Sequence, residues 1–284
     1  MSSNQQPQGN TFTTGYNKSS LDRYAYRTAA TCCAYLLPHL QSLPADFTFL
    51  DVGCGPGSIT TDLAARFPRA QFTGIDPGKM FIDKAEALAE ERGVTGNTSF
   101  KVGDVASLDD QLGTFDVVHC HQVLIHLSDP VGALRMMKAV AKREGGIVAA
   151  REATAFNGDI FYPLLPGIKQ WQELVAAIFE SRLGSATGLG PRLLEVALQA
   201  GWPRGVIEAG ASVWCYSEPA EKRMWTESIV GMLENKDSDW YTKALAVGAT
   251  EESLSKMAEA WKEWEKRDES WSTFVSAEIV CRNS

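Results

Sequence analysis

The chain has 284 residues and a mass of 31.0 kDa, which at ~100–200 residues per domain suits one enlarged α/β domain or a domain with an appended cap. Its 27 basic and 35 acidic residues give a net charge of −8, and no run of Lys or Arg exists to follow a phosphate backbone, so no nucleic-acid partner is expected. Apolar residues make up 44% and no stretch approaches the ~18 uncharged apolar residues of a spanning helix, which excludes a membrane segment.

Residues 1–20 are polar, without the basic and apolar regions of a secretory signal, and read as a flexible tail. From Leu21 to Leu40, Tyr24, Thr28, Cys32, Tyr35 and Leu36 recur at helical spacing, which predicts an amphipathic helix ended near Pro38. Short apolar runs then alternate with helical stretches. The predicted strands are 47–52, 72–76, 99–105, 115–123 and 146–153, with helices after the first two, and this alternation argues a parallel sheet covered on both faces. The six cysteines are scattered and form no CxxC pair, so neither a disulfide framework nor a zinc knuckle fits, and a reducing cytoplasm is the expected compartment.

Beyond Ala153 the composition changes, and all eight tryptophans lie between Trp171 and the C-terminus. Segment 154–188 begins as a Pro-rich loop and continues as a helix. Strand-like runs at 206–215 and 273–282 are separated by a helical region over about 219–269, as if a hairpin had been opened by an insertion. The chain is therefore expected to divide into the tail (1–20), a cofactor-binding core with its cap helix (21–153) and a substrate-side part (154–284). That last part carries a helical lid and returns the final strands to the same sheet.

The strongest motif is Asp51-Val52-Gly53-Cys54-Gly55-Pro56-Gly57, placed between a strand and the helical run SITTDLAARF. Gly53 and Gly55 permit tight turning and Gly57 lets the helix start near a ligand, which makes the loop a nucleotide cradle. Asp76 ends the next strand where it can accept from ribose hydroxyls, or serve as a helix cap; Asp104 ends the third strand where an adenine amino group needs an acceptor, or caps a turn. The G-x-G-x-G spacing differs from the G-x-G-x-x-G of nicotinamide folds. Asp51, two residues before Gly53, opposes a pyrophosphate but tolerates a sulfonium carrying an ammonium group, which favours S-adenosyl-L-methionine.

These residues carry a resemblance to class I S-adenosylmethionine-dependent methyltransferases, within them the UbiE-like group and its relatives in microbial secondary metabolism. LDVGCGPG resembles the family's glycine motif, GID its ribose acid, GDV its adenine motif and FDVVHCHQVLIHLSDP its fourth strand and following turn; the match runs from about Asp22 to Glu152. The resemblance implies a Rossmann-like fold with a mostly parallel seven-stranded sheet. It further implies a cofactor site at Tyr24, Arg27, Asp51, Gly53, Cys54, Gly55, Gly57, Asp76, Pro77, Met80, Gly103, Asp104, Val105, His121 and Gln122, with S-adenosyl-L-homocysteine as product.

Displacement at a sulfonium needs alignment more than a nucleophilic side chain, and a base only where the acceptor must lose a proton. His121, near the C-terminal end of the fourth strand, and Glu152, just past the fifth, are the candidates; His119 reads better as a satisfied strand histidine and His126 as a residue packed beneath the site. His119 and His121 show no third ligand at metal-binding spacing. Tyr162, Trp171, Trp214 and Tyr216 are expected to wall the acceptor pocket, whereas Trp225, Trp240, Trp261, Trp264 and Trp271 suit the lid's own core. The acceptor is expected to be a small, partly apolar or aromatic molecule. A non-methylating S-adenosylmethionine binder and, less favoured, a nicotinamide oxidoreductase stay open at this point, as does the oligomeric state.

Overall fold

The computed structural model describes residues 26–108, 113–155, 158–183 and 188–284. The expected tail and Tyr24 lie outside them. Two short helices, α1 (Ala29–Cys32) and α2 (Leu37–Gln41), stand where one helix was predicted over 21–40. Thr28 opens α1 by a reciprocal cap, its hydroxyl accepting from Thr31 N at 3.2 Å while Thr31 Oγ1 accepts from Thr28 N at 2.9 Å. Pro38 falls in the first turn of α2, where a missing N–H leaves no bond unmade, so it starts a helix instead of ending one.

The core then alternates as expected: β1 (Thr48–Val52), α3 (Ser58–Arg66), β2 (Gln71–Asp76), α4 (Lys79–Glu91), β3 (Thr98–Val102), β4 (Val117–His121), α5 (Pro130–Val140) and β5 (Ile147–Ala153). These five strands are parallel in the order β3-β2-β1-β4-β5, so the order reverses between β1 and β4 and opens a crevice at their C-terminal ends. Further on come β6 (Ile160–Tyr162), α6 (Pro166–Leu183), α7 (Leu193–Gln199), β7 (Ile207–Tyr216), α8 (Pro219–Glu234), α9 (Asp239–Ala246), α10 (Glu251–Lys266) and β8 (Trp271–Arg282). β8 runs antiparallel to β5 and to β7, pairing with β7 from Ile207↔Cys281 to Tyr216↔Ser272. All seven expected strands are present. The three-residue β6, which no sequence pattern announced, pairs with the N-terminal end of β8 beyond the tip of β5.

Successive residues of the central strands go to opposite faces. Phe49, Phe72, Val117, Ile147 and Val280 pack with Cys33, Leu36 and Leu63; Leu50, Val118, Val148 and Ile279 pack with Leu134, Met137, Leu193 and Val196. Helices therefore cover both faces, and β1, β4 and β5 are buried on both sides, their polar residues Asp51, His119, His121, Arg151 and Glu152 lying toward the C-terminal ends.

The region predicted as one helical stretch over 219–269 is three helices. Ser238 and Thr250 cap α9 and α10, accepting from Tyr241 N at 3.0 Å and Ser253 N at 3.1 Å. With α6 they enclose a separate core that includes Trp171, Trp225, Trp240, Trp261 and Trp264, in which the rings of Trp171 and Trp261 meet edge to face at 5.0 Å. Among the side-chain bonds that join the N-terminal segment to the rest, Tyr26 Oη donates to Glu221 of α8 at 3.0 Å, Arg27 Nη2 to Gln122 Oε1 at 2.7 Å, Ala29 N to Asp62 Oδ2 at 2.7 Å, and Trp214 Nε1 to the Thr31 carbonyl at 2.7 Å.

Candidate active site

The glycine loop leaves the C-terminal end of β1 and is held beside β2 by a bond from Cys54 N to the Ile75 carbonyl at 2.9 Å. Gly53 (φ +68°) has no room for a side chain, since a Cβ there would lie 2.4 Å from Val123 Cγ2. Gly55 (φ +53°) differs: its Cβ would meet no atom of the described residues beyond its chain neighbours within 4 Å, and Gly55 lines a cavity.

Asp51 is buried beneath the loop and borders the cavity, with both carboxylate oxygens engaged. Oδ1 lies 2.9 Å from His119 Nδ1 and Oδ2 accepts from Thr60 Oγ1 at 2.5 Å. His119, whose Nε2 is 3.7 Å from Cys33 Sγ, is thus the satisfied strand histidine its position suggested. Asp76 closes the loop from the β2 side, accepting from Gly55 N at 3.1 Å and Gly78 N at 2.8 Å; burial raises its carboxyl above the ordinary range while these two bonds pull it back. Each Asp76 oxygen keeps a second lone pair. Asp104 caps the turn Val105–Ser107 by accepting from Ala106 N at 2.9 Å. With Gly103 and Val105 it marks the end of β3, and Pro77 and Met80 are exposed at the end of β2; none of these five lines the cavity.

The cavity, about 220 Å³, runs from the glycine loop past the end of β4 into the aromatic part of the lid. At its junction stand His121 and Gln122. Gln122 has φ +53°, a left-handed conformation that is uncommon outside glycine, and its side chain accepts from Arg27, which also lines the space. His121 is buried with its ring 5.8 Å from that of Trp214, and neither ring nitrogen has a hydrogen-bond partner among the described residues. Burial, then the charges of Arg27 and Arg151, then His119, hold its pKa well below the ordinary histidine range, so the imidazole is neutral. Arg151 donates to Ser212 Oγ at 2.9 Å and Glu278 Oε1 at 3.2 Å, and its guanidinium lies 4.5 Å from the Trp214 ring centre. Trp214, also bonded to the Thr31 carbonyl, therefore presents a fixed wall.

Trp171, Trp214 and Tyr216 line the cavity as expected; Tyr162 does not, being 54% exposed on β6 with its carbonyl accepting from Trp264 Nε1 at 3.0 Å. Glu152 is also absent from the lining. Its Oε1 accepts from Val123 N at 3.0 Å and Leu124 N at 2.9 Å, and its Oε2 from Ile125 N at 3.3 Å, so it braces the turn after β4. Burial pushes its carboxyl up to about 7 against the pull of these bonds. Trp225 and Trp240 belong both to the lid's core and to the cavity wall. Sequence reasoning missed Phe274 and Asp159 as lining residues. Period-two alternation along β8 places Phe274 on the face of Ser276, but nothing in the sequence around Asp159 distinguishes it from a loop acid.

A model of the methyltransferase domain family matches residues 44–210. An uncharacterised methyltransferase of Schizosaccharomyces pombe is 30% identical over 282 residues, 95% of either chain. Among solved structures, the YcgJ protein of Bacillus subtilis aligns over 88% of this chain and 97% of its own with a TM-score of 0.53 at 17% identity. A phosphoethanolamine N-methyltransferase of Haemonchus contortus in complex with S-adenosyl-L-methionine aligns over 88% of this chain and 52% of its own, with a TM-score of 0.50 at 15% identity. The glycine loop at the switch point, the strand order and the near full-length relative agree, and the chain belongs to the class I S-adenosylmethionine-dependent methyltransferases.

Proposed function

We propose that this methyltransferase acts on a small, partly apolar or aromatic acceptor held in the cavity, with His121 as general base. One observation carries the reading: a neutral, buried imidazole with two unengaged ring nitrogens stands where the cofactor loop and the aromatic wall meet. The residues present fit S-adenosyl-L-methionine, since Gly53, Cys54 and Gly55 line the cavity, the two glycines with bare backbone, and Asp76, buried behind the loop and outside the cavity lining, holds Gly55 N in place. When bound, this cofactor supplies a sulfonium methyl open to in-line attack.

The chain's own contribution is then positional. The bonded pair Arg27 and Gln122 borders the site between cofactor and acceptor, and the predicted contacts at Tyr24, Asp76, Pro77, Met80, Gly103, Asp104 and Val105 follow the ends of β2 and β3 and the N-terminal segment. Trp171, Trp214 and Tyr216 align a flat acceptor and exclude water. His121 takes the proton of an acceptor hydroxyl or amine as its atom is methylated. In this reading 154–284 is the substrate-side part and the compartment is the reducing cytoplasm, consistent with six free cysteines of which five are buried.

Turnover of methyl-labelled cofactor against a panel of phenols and aryl amines tests the base. His121→Asn is expected to lower kcat by about a hundredfold, within the range for general bases, with affinity for S-adenosyl-L-homocysteine largely unchanged. Parent-like turnover in this variant would remove His121 from the chemistry.

A further inference from the structure

The walls of the cavity on the lid side are mostly aromatic and aliphatic, and the one carboxylate among the described residues there is that of Asp159, in the loop between β5 and β6. Its Oδ1 accepts from Val275 N at 2.6 Å, in the gap on the edge of β8 where β5 has ended and β6 has not begun. The neighbouring carbonyl of Val275 is met in the same gap by Thr154, through N at 3.3 Å and Oγ1 at 3.1 Å. Asp159 thus substitutes for a missing strand residue.

An asparagine would serve that backbone N–H equally well with its amide oxygen and without a charge to bury. The carboxylate is the costlier choice. Burial raises it to about 6, only the bond from Val275 opposes the rise, and no ion pair to Asp159 is present among the described residues. A half-buried anion with no countercharge among the described residues, lining the same cavity as Trp225, Tyr216 and Phe274, calls for a cation brought by the ligand. The net charge of −8 favours the approach of such a ligand.

We propose that Asp159 is a specificity residue that pairs with a cationic amine on the acceptor, so that the substrate class is aromatic compounds carrying an ammonium group. The inference rests on the reading of the cavity as the acceptor site. An ammonium held in this pair has no lone pair, so the methyl goes to a different atom of the acceptor, the one His121 deprotonates.

Calorimetry at saturating S-adenosyl-L-homocysteine, with tyramine and its neutral isostere 4-propylphenol as probes, separates the possibilities. The parent is expected to bind tyramine at least about tenfold more tightly than 4-propylphenol, the lower end for a hydrogen bond to a charged group. Asp159→Asn, which keeps the bond to Val275 and whose melting curve checks its fold, is expected to erase that preference and leave 4-propylphenol affinity unchanged. An equal affinity of the parent for both probes, or a preference that survives in Asp159→Asn, overturns the role of Asp159 while leaving the aromatic pocket in place. Binding of neither probe overturns the pocket reading together with it.

Discussion

Replacing Gly55 with alanine separates what the loop does for the fold from what it does for the ligand. A Cβ at Gly55 meets no atom of the described residues beyond its chain neighbours within 4 Å, so among them packing cost is absent and the folded state loses only the penalty for a side chain at φ +53°. That penalty is roughly 1–2 kcal/mol, which for a chain of this size lowers Tm by roughly 2–8 °C. The added methyl projects into the space where the bare loop faces the cavity, and a ligand resting against that backbone must withdraw from it. Titration calorimetry with S-adenosyl-L-homocysteine is expected to show a loss of at least about tenfold, or ~1.4 kcal/mol. Gly53→Ala provides the contrast, because its Cβ would stand 2.4 Å from Val123 Cγ2 and the damage falls on stability. If Gly55→Ala bound the product as the parent does while melting earlier, the open side of Gly55 would not face the cofactor, and the reasoning from the bare loop would be refuted.

Asp76→Ala removes acceptors from Gly55 N and Gly78 N, and is expected to weaken S-adenosyl-L-homocysteine by roughly 1.5–3 kcal/mol in calorimetry, with an earlier melt as well. An earlier melt with intact affinity would make Asp76 a loop brace only. Glu152 has its pKa raised in the folded protein from 4.5 to about 7, so the stability it contributes is complete below 4.5 and is lost as pH rises through 7. The loss is about 3 kcal/mol at one pKa unit per ~1.4 kcal/mol. Glu152→Gln keeps one acceptor oxygen and does not titrate, so its Tm relative to the parent is expected to rise between pH 5 and pH 8; a difference flat with pH would place the titration elsewhere.

What was legible in the sequence followed local rules. The loop from Asp51 to Gly57 needs its glycines at fixed offsets, and the central strands β1, β4 and β5 announce themselves as largely apolar runs because both faces of the sheet are covered there. Breaks within helical regions were harder, since the residues on either side of 33–36 and of 235–238 keep helical spacing and only tertiary packing decides where the axis turns. The bracing position of Glu152, outside the cavity lining, was hidden for a different reason. The backbone N–H groups it satisfies belong to Val123, Leu124 and Ile125, nearly thirty positions away, so its orientation is set by a contact that no local pattern encodes. Asp159 was invisible on the same grounds, its partner Val275 being 116 positions distant.

The placement of the tryptophans has a spectroscopic consequence. All eight lie at or beyond Trp171, and among them Trp171, Trp214, Trp225 and Trp240 face the cavity, whereas the glycine loop and the ends of β2 and β3 hold no indole. Apart from Trp202, which is buried in the core of the main sheet, the indoles are in the lid and along β7 and β8, so tryptophan emission mainly registers events there. A chromophoric acceptor entering the cavity would quench it directly, while a ligand confined to the loop region would alter it only by moving the N-terminal segment whose Thr31 carbonyl holds Trp214. The two halves of the site are in this way optically distinct without any label.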